Sequence, residues 1–194
     1  MARPPAGARS AGVGEARADA AGALDGGSAP RKDGAVTTSE YQIVDADLDL
    51  PEHALGLVHC LDEYAADAMG RGEGLSPEVK AALIGGLQAH PERVIRLALH
   101  GTKVVGAAVC FLGFSTFSAK PRLNVHDLCV LLPHRGRGLG RRLLQAVLDT
   151  ARDVGCSSVT LEVRGDNEVA QRLYRSLGFG DTSAPMSFWE RKLP

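Results

Sequence analysis

Apolar residues recur at helical spacing in four stretches of the chain, and each stretch predicts a helix. In "LPEHALGLVHCLDEYAADA" the stripe consists of Leu55, Val58, Leu61 and Ala65. "SPEVKAALIGGLQAHP" offers Ser76 as an N-cap and Pro91 as a stop. "LGRRLLQAVLDTARDVG" ends at Gly155, and "NEVAQRLYRSLG" ends at Gly178.

Between these helices the apolar residues alternate or run together with β-branched residues, which predicts strands. In chain order the strands are "YQIVDAD", "RVIRLALHG", "KVVGAAVCFLGFS", "LNVHDLCVLL", "SSVTLEV" and "MSFWERKL". "HGTK" joins the second and third strands as a hairpin. The order β-α-α-β-β-β-α-β-α-β predicts an α/β domain with a mixed sheet, antiparallel early and parallel where the chain later crosses over.

Residues 1–38 depart from this pattern, because they are rich in Ala, Gly, Arg, Pro and Ser and contain almost no large apolar residue before Leu24. Such a segment cannot bury enough surface to offset the entropy of ordering it. We therefore predict a disordered extension over 1–38 and an ordered domain over 39–194. The extension lacks the apolar core of a signal peptide, and its aspartates argue against a transit peptide. A start codon further downstream is the alternative.

Charge and cysteine content narrow the class of protein. The formal net charge is −1, so no global basic field points to nucleic acid. No apolar run reaches the roughly 20 residues that span a bilayer, and the sequence predicts no membrane partner. The four cysteines lie apart, with no metal-ligand spacing, which suits buried free thiols in a reducing compartment. These features predict a cytoplasmic protein without a bound metal.

The stretch "LLPHRGRGLGRRLL" combines three alternating glycines with four arginines, between a predicted strand and a predicted helix. A helix N-terminus presents free N–H groups and a positive dipole end, and glycines allow the backbone to approach an anion. The pattern predicts a phosphate or pyrophosphate site. It lacks the Lys of a P-loop, and too few residues follow Glu162 for a dinucleotide-binding sheet. A basic turn without a ligand is the alternative.

Residues 135–140, "RGRGLG", resemble the Q/R-x-x-G-x-G/A loop that binds the acetyl-CoA pyrophosphate in the GNAT superfamily of N-acetyltransferases. "LEVRGDNEVAQRLYRSLGF" resembles the second motif of that family, with Asn167, Tyr174, Gly178 and Phe179 in the expected places. The resemblance covers roughly residues 41 to 190 and is greatest to acetyltransferases of small molecules and diamines. It implies a mixed sheet of about six to seven strands, flanked by about four helices. Two neighbouring parallel strands, "HDLCVL" and "SSVTLEV", are expected to splay around the pantetheine arm.

The resemblance also implies which residues hold acetyl-CoA, the expected cosubstrate. Backbone groups around Cys129, Val130 and Leu131 would bond the pantetheine amides and polarise the thioester carbonyl. The pyrophosphate would lie against the N–H groups of Arg135, Gly136, Arg137, Gly138, Leu139 and Gly140. Arg141 and Arg142 either reach the phosphates or are solvated. Asn167 is expected to contact the coenzyme or to serve only as an N-cap.

Tyr174 occupies the position of the family's general acid, where a phenol can protonate the departing thiolate. The alternative is that Tyr174 merely packs with Val169, Leu173 and Leu177. Relatives that acetylate spermidine and spermine carry an acidic pair on the strand before the phosphate loop. The equivalent residues here are His126 and Asp127, so the first position departs from that pattern. Either could serve as the base, but strand alternation places them on opposite faces unless a bulge intervenes.

Two groups of residues suggest acceptor substrates of different charge. An acidic rim made of Asp62, Glu63, Asp67 and Glu73 would attract a cationic amine, unless it is only a solvated helix face. Phe114, Phe117 and Lys120 are expected near the acceptor side, where Lys120 would suit a substrate with a carboxylate.

Three functions stay open at this point. The first is acetyl transfer to the primary amine of a polyamine, diamine or amino acid, by direct attack in a ternary complex. The second is acetylation of a protein N-terminus or lysine, and the third is a non-catalytic acyl-CoA-binding module. The resemblance also makes a homodimer an expectation.

Overall fold

The computed structural model describes residues 40–180, 189–191 and 193. The strands among them are β1 (Tyr41–Asp45), β2 (Arg93–His100), β3 (Lys103–Ser115), β4 (Lys120–Val130) and β5 (Ser158–Leu161). The α-helices are α1 (Pro51–Ala66), α2 (Pro77–Ala89), α3 (Leu139–Asp153) and α4 (Glu168–Arg175). A short 3-10 helix, Leu132–His134, follows β4.

The strands form one sheet in the order β1-β2-β3-β4-β5. All neighbours pair antiparallel except β4 and β5, which are parallel because α3 crosses over between them. The mixed α/β architecture and the four helices are confirmed. The described residues form five strands rather than six or seven. Half of the predicted strand "MSFWERKL" lies outside the described residues, and its described residues, 189–191 and 193, are not in a strand; the predicted extension over 1–38 lies wholly outside them.

Each face of the sheet carries its own apolar core. On one face α1 and α2 cover the sheet, with Leu57, Cys60, Leu61, Leu97, Val109 and Cys129 buried. On the other face α3 covers it, with Cys110, Leu123, Val125, Leu143, Leu144 and Val147 buried. Strand β3 is buried on both faces, which explains its continuous apolar run in the sequence.

Several local predictions are confirmed. The Ser76 hydroxyl accepts a hydrogen bond from the Val79 N–H and caps α2. Strands β2 and β3 are joined by the two residues Gly101 and Thr102, and Gly101 adopts a left-handed φ of 61°. Gly155 follows α3 with a φ of 76°, as expected for the residue after a helix.

The predicted apolar stripe of α1 is partly wrong, since Leu55 is 71% exposed. The buried residues of this helix are Leu57, Cys60, Leu61 and Ala65. Gly56 gives the physical reason, because a Cβ on it would lie 2.6 Å from the Cβ of Val104 in β3. The helix therefore approaches the sheet at a glycine, a contact that an apolar stripe cannot reveal.

All four cysteines are free thiols, and Cys60, Cys110 and Cys129 are buried. Burial raises the pKa of the Cys110 thiol to about 12, so this group stays protonated at neutral pH. Among the described residues, no helix combines the length and apolar character needed to cross a bilayer.

Candidate functional site

Strands β4 and β5 separate part-way along their length. Their parallel pairing runs only from Arg122 opposite Ser158 to Val125 opposite Leu161. Strand β4 continues to Val130, whereas β5 ends at Leu161. The last five residues of β4 therefore have no partner on that side, and a cleft of about 870 Å³ opens between the strands. This is the splay that the resemblance implied.

A β-bulge at His126 lies where the two strands part. Asp127 pairs with Val109 and Val125 with Cys110, so His126 is an extra residue in β4. A bulge bends its strand and increases the local twist, which turns β4 away from β5. It also places both candidate bases on the face of α1 and α2. The His126 ring lies 5.6 Å from the Phe111 ring there, so strict alternation does not apply.

The Asp127 carboxylate forms no hydrogen bond or ion pair within the part of the chain that the structure describes. Burial raises the pKa of its carboxyl group, and the neighbouring His126 opposes that shift. His126 itself is exposed and lines the cleft, whereas Asp127 lies just behind the lining residues. The pair thus combines an accessible imidazole with a desolvated carboxylate.

The glycine-rich loop of residues 135–140 lines the opposite end of the cleft. Gly136 and Gly138 adopt left-handed φ values of 75° and 76°, which side chains with a Cβ rarely accept. Gly140 differs from them, because a Cβ on it would lie 3.2 Å from the Leu173 Cδ2 of α4, a close contact that the end of the leucine side chain would have to relieve. Helix α3 begins at Leu139, and the N–H groups of its first turn have no partner within the helix.

The arginine side chains of this stretch contact the protein itself. Arg135 donates to the Val130 carbonyl at 2.8 Å and to the Asp67 carboxylate at 2.9 Å. The Arg137 guanidinium lies 6.0 Å from the centre of the Tyr41 ring, and Arg137 does not line the cleft. Arg141 donates to the Ser176 hydroxyl and Arg142 to the Tyr41 carbonyl. The pyrophosphate contacts predicted for this loop are therefore those of its backbone N–H groups, and they stay a prediction.

The backbone hydrogen bonds of β4 limit which of the residues Cys129, Val130 and Leu131 can bond the pantetheine arm. The Leu131 N–H donates to the Val105 carbonyl at 2.9 Å, so it faces β3 and cannot bond a ligand in the cleft. Antiparallel alternation turns the backbone groups of Cys129 toward β3 as well. The same alternation directs the N–H of Val130 into the cleft. Of the three predicted residues, Val130 alone presents a suitably placed backbone donor.

Tyr174 and Asn167 bring α4 to the cleft, which both residues line. Burial raises the pKa of the Tyr174 phenol to about 12, and the nearby Tyr64 phenol contributes to the shift. The Asn167 side chain accepts a hydrogen bond from the Ala170 N–H at 3.1 Å, so its N-cap role is confirmed. The expected packing partner Val169 is 72% exposed, and Tyr174 instead lies 6.0 Å from the Phe179 ring.

The structure adds cleft residues that sequence reasoning missed. They are Tyr64, Met69, His134, Glu162 and Arg164. Tyr64 occupies the last turn of α1, where burial and the Asp127 charge raise the pKa of its phenol. Tyr64 therefore interacts electrostatically with both Asp127 and Tyr174. The only sequence signal for Tyr64 is that an aromatic residue stands near the end of a predicted helix, shortly before the glycines at positions 70, 72 and 74.

The predicted acceptor residues lie mostly elsewhere. Of the acidic rim, Asp67 alone lines the cleft, while Asp62 is bonded to Lys80 and to the Leu75 N–H. Phe114 is 68% exposed and Phe117 is fully exposed at the tip of the β3–β4 hairpin. Neither phenylalanine lines the cleft, and nor does Lys120. The carboxylate-binding hypothesis built on these three residues is wrong for this cleft.

Comparison with known proteins bears on the whole arrangement. Residues 59–179 match the acetyltransferase (GNAT) family. The chain belongs to the GNAT family. The family's acetyl donor is acetyl-CoA. A solved structure described as a probable acetyltransferase superposes with a TM-score of 0.65 at 27% identity, covering 79% of this chain and 97% of that one.

Two curated GNAT relatives illustrate the range of acceptors in the family. The N-alpha-acetyltransferase RimI of Mycobacterium tuberculosis is 43% identical over 81 residues, which are 41% of this chain and 49% of RimI. The thialysine N-epsilon-acetyltransferase of Bos taurus is 33% identical over 81 residues, which are 42% of this chain and 47% of that protein. The matched regions span about half of each relative.

Proposed function

We propose that this GNAT chain transfers an acetyl group from acetyl-CoA to a small primary amine, by direct attack within a ternary complex. One observation carries the proposal. The same cleft has backbone donors at one end and, at the other, the phenols of Tyr64 and Tyr174, and the half-buried Asp127 carboxylate interacts electrostatically with Tyr64 from behind that end. We call these ends the coenzyme half (residues 135–140 and the first turn of α3) and the acceptor half (Tyr64, His126, Asp127 and Tyr174).

The coenzyme half fits the phosphates and the pantetheine arm of acetyl-CoA. No Cβ shields the backbone at Gly136 and Gly138, and the free N–H groups of Leu139 and Gly140 lie beside them. Such donors at the positive end of a helix dipole favour a pyrophosphate. The N–H of Val130 can donate a hydrogen bond to the thioester carbonyl oxygen. Bound acetyl-CoA supplies an activated thioester.

Two side chains of the acceptor half are suited to transfer protons during the reaction. An alkylamine is protonated at neutral pH, so a base must take a proton before or during its attack. Asp127 suits this role, because burial raises the pKa of its carboxyl group and none of the residues that the structure describes bonds to the carboxylate. Tyr174 suits the opposite role. With a pKa of about 12 its phenol stays protonated and can donate to the departing sulfur.

The acceptor half favours a cationic, slender amine. The carboxylate of Asp127 attracts an ammonium group, and the rings of Tyr64 and Phe111 flank that part of the molecule. The similarity to a thialysine N-epsilon-acetyltransferase supports an acceptor with an amine on a flexible chain. A diamine, polyamine or basic amino acid combines these properties.

Acetylation of a protein N-terminus is the second candidate. The observation that favours it is the 43% identity to RimI over 81 residues. The acceptor half decides between the two, because a peptide must extend beyond the cleft whereas a small amine ends inside it.

The test is to incubate the chain with acetyl-CoA and to follow free thiol in the presence of different amines. The panel contains diamines, polyamines, lysine, thialysine and peptides with a free N-terminus, with N-acetylated forms as matched controls. We expect kcat/KM for the best small amine to exceed that for any peptide by about tenfold or more. A preference for peptides would favour the second candidate. Coenzyme binding without any turnover would favour a non-catalytic acyl-CoA-binding module.

Two further expectations stay predictions. A cytoplasmic location follows from the free cysteines and the lack of long apolar runs in the sequence. A homodimer follows only from the resemblance, and a monomer mass in gel filtration would contradict it.

A further inference from the structure

Arg135 opens the glycine-rich loop, yet its guanidinium group points away from the N-terminus of α3. Its Nε donates to the Val130 carbonyl at 2.8 Å and its Nη2 donates to Asp67 Oδ2 at 2.9 Å. The first partner lies at the end of β4, and the second directly follows α1, the helix that carries Tyr64 of the acceptor half. A guanidinium group held by two partners in this way has a fixed direction.

Asp67 is the residue that ends α1 and begins the segment Asp67–Gly70, which we call the strap. Its N–H bonds the carbonyls of Glu63 and Tyr64, and its Oδ1 accepts from the Met69 N–H at 2.8 Å. These bonds, together with the Arg135 contact, keep the pKa of the Asp67 carboxyl group below its usual value. The carboxylate thus joins the last turn of α1, the strap and Arg135.

The strap is also held from the other wall of the cleft. Arg164, which follows β5, approaches the Ala68 carbonyl at 3.5 Å through Nη1. Met69 of the strap lines the cleft between these two attachments. The strap therefore runs from the β4 side to the β5 side, where the splayed strands leave the cleft open.

Tyr64 connects the strap to the reacting groups. It lies one turn before Asp67 on α1, lines the cleft and interacts electrostatically with both Asp127 and Tyr174. A shift of the last turn of α1 would move the Tyr64 phenol relative to these two groups.

We propose that Arg135 is a positioning residue of the acceptor half, acting through Asp67 to hold the strap and Tyr64 in place. This inference rests on the proposed function. It assigns the side chain of Arg135 to acceptor binding rather than to the coenzyme phosphates, which the backbone of the same loop serves.

A double-mutant cycle on Arg135→Gln and Asp67→Asn tests the proposal. We measure the KM for the best amine at saturating acetyl-CoA, and the Kd for CoA by calorimetry. Each single variant is expected to raise the amine KM about tenfold, the usual effect of losing one charge-assisted hydrogen bond. The double variant is expected to be no worse than either single one, because both break the same contact. CoA Kd is expected to stay within about twofold.

Two more variants sharpen the cycle. Arg135→Lys keeps the charge but cannot contact Val130 and Asp67 together, so it is expected to behave like Arg135→Gln. Arg152→Gln removes an exposed arginine that pairs with Asp149 on α3 and serves as the matched control. An Arg135→Gln variant that loses CoA affinity while Asp67→Asn keeps it would make Arg135 a phosphate ligand and overturn the proposal. Additive effects on the amine KM would overturn it as well.

Hydrogen exchange at the Met69 amide separates this inference from the proposed function. That N–H is bonded to Asp67, so it is expected to exchange faster in Arg135→Gln whether or not the chain turns over any amine. An unchanged Met69 exchange rate would overturn the positioning role. Absence of turnover in the wild-type chain would instead overturn the proposed function.

Discussion

The two halves of the cleft are built from different chemical groups. The coenzyme half consists mainly of backbone, with two left-handed glycines and the free N–H groups of α3. The acceptor half consists of side chains from α1, β4 and α4, namely Tyr64, His126, Asp127 and Tyr174. A phosphate site made of backbone depends on chain conformation, whereas an acceptor site made of side chains depends on the chemistry of each group. The halves should therefore respond to different kinds of substitution.

The largest expected effect is that of Asp127→Asn in the acceptor half. Loss of a general base lowers rates by about 100- to 10,000-fold, and we expect about 1,000-fold in kcat/KM at neutral pH. In the wild-type chain, activity should fall as the pH drops through the raised pKa of this carboxyl group. That acidic limb should be absent from the variant's pH–rate profile.

The same substitution should stabilise the fold. Burial raises the pKa of the Asp127 carboxyl group, so ionising it is less favourable in the folded chain than in the unfolded chain. This destabilisation is present at neutral pH and absent below the ordinary pKa of an aspartate. Asp127→Asn should thus raise the free energy of unfolding by about 1 kcal/mol at neutral pH. His126→Gln is the matched variant, and a greater loss of activity there would reverse the assignment of the base.

The next effect in size is that of Tyr174→Phe, which removes the phenol oxygen and keeps the ring. We expect kcat to fall about 100-fold, the low end for losing a general acid, with CoA affinity unchanged. Steady-state kinetics and calorimetry together check this. Full kcat in the variant would leave Tyr174 with a packing role beside Phe179 only.

A smaller effect is expected from Gly138→Ala in the coenzyme half. A left-handed backbone costs a residue with a Cβ about 1–2 kcal/mol, so CoA affinity should fall about tenfold. Gly138→Asn is the matched control, because asparagine adopts this conformation more readily and should lose less. Equal losses in both variants would mean that side-chain bulk, rather than backbone conformation, disturbs the site.

The smallest effect is expected from Asn167→Ala, which removes the cap of α4. The free energy of unfolding should fall by about 1 kcal/mol, and Asn167→Ser should restore it. If serine restores both stability and CoA affinity, capping of α4 accounts for the whole effect of removing Asn167. Restored stability with weakened CoA binding would instead assign the Asn167 amide to the coenzyme.

The same contrast explains what could be predicted from the sequence. The coenzyme half lies within one short stretch, 135–140, so its glycine spacing and the following helix were sufficient to predict it. The acceptor half joins residues far apart in the chain, and Tyr64 became recognisable only when α1 was packed against β4. The sequence predicts Asp67 only as part of an acidic rim, whereas the structure shows that its carboxylate is paired with Arg135. Side-chain partners of this kind depend on the tertiary fold, and periodicity carries no information about them.

The bulge at His126 shifts the in-and-out alternation of side chains along β4 by one residue. The residues before His126 and the residues after it pair with β3 in registers that differ by one residue, and the bulge accommodates this difference. Deleting His126 would force one register on the whole strand and send the side chains of one half to the opposite face. Leu123 and Val125 would leave their core, or Asp127 would leave the acceptor half. As far as the fold is concerned, position 126 should therefore tolerate many side chains, whereas β4 should tolerate no change in length.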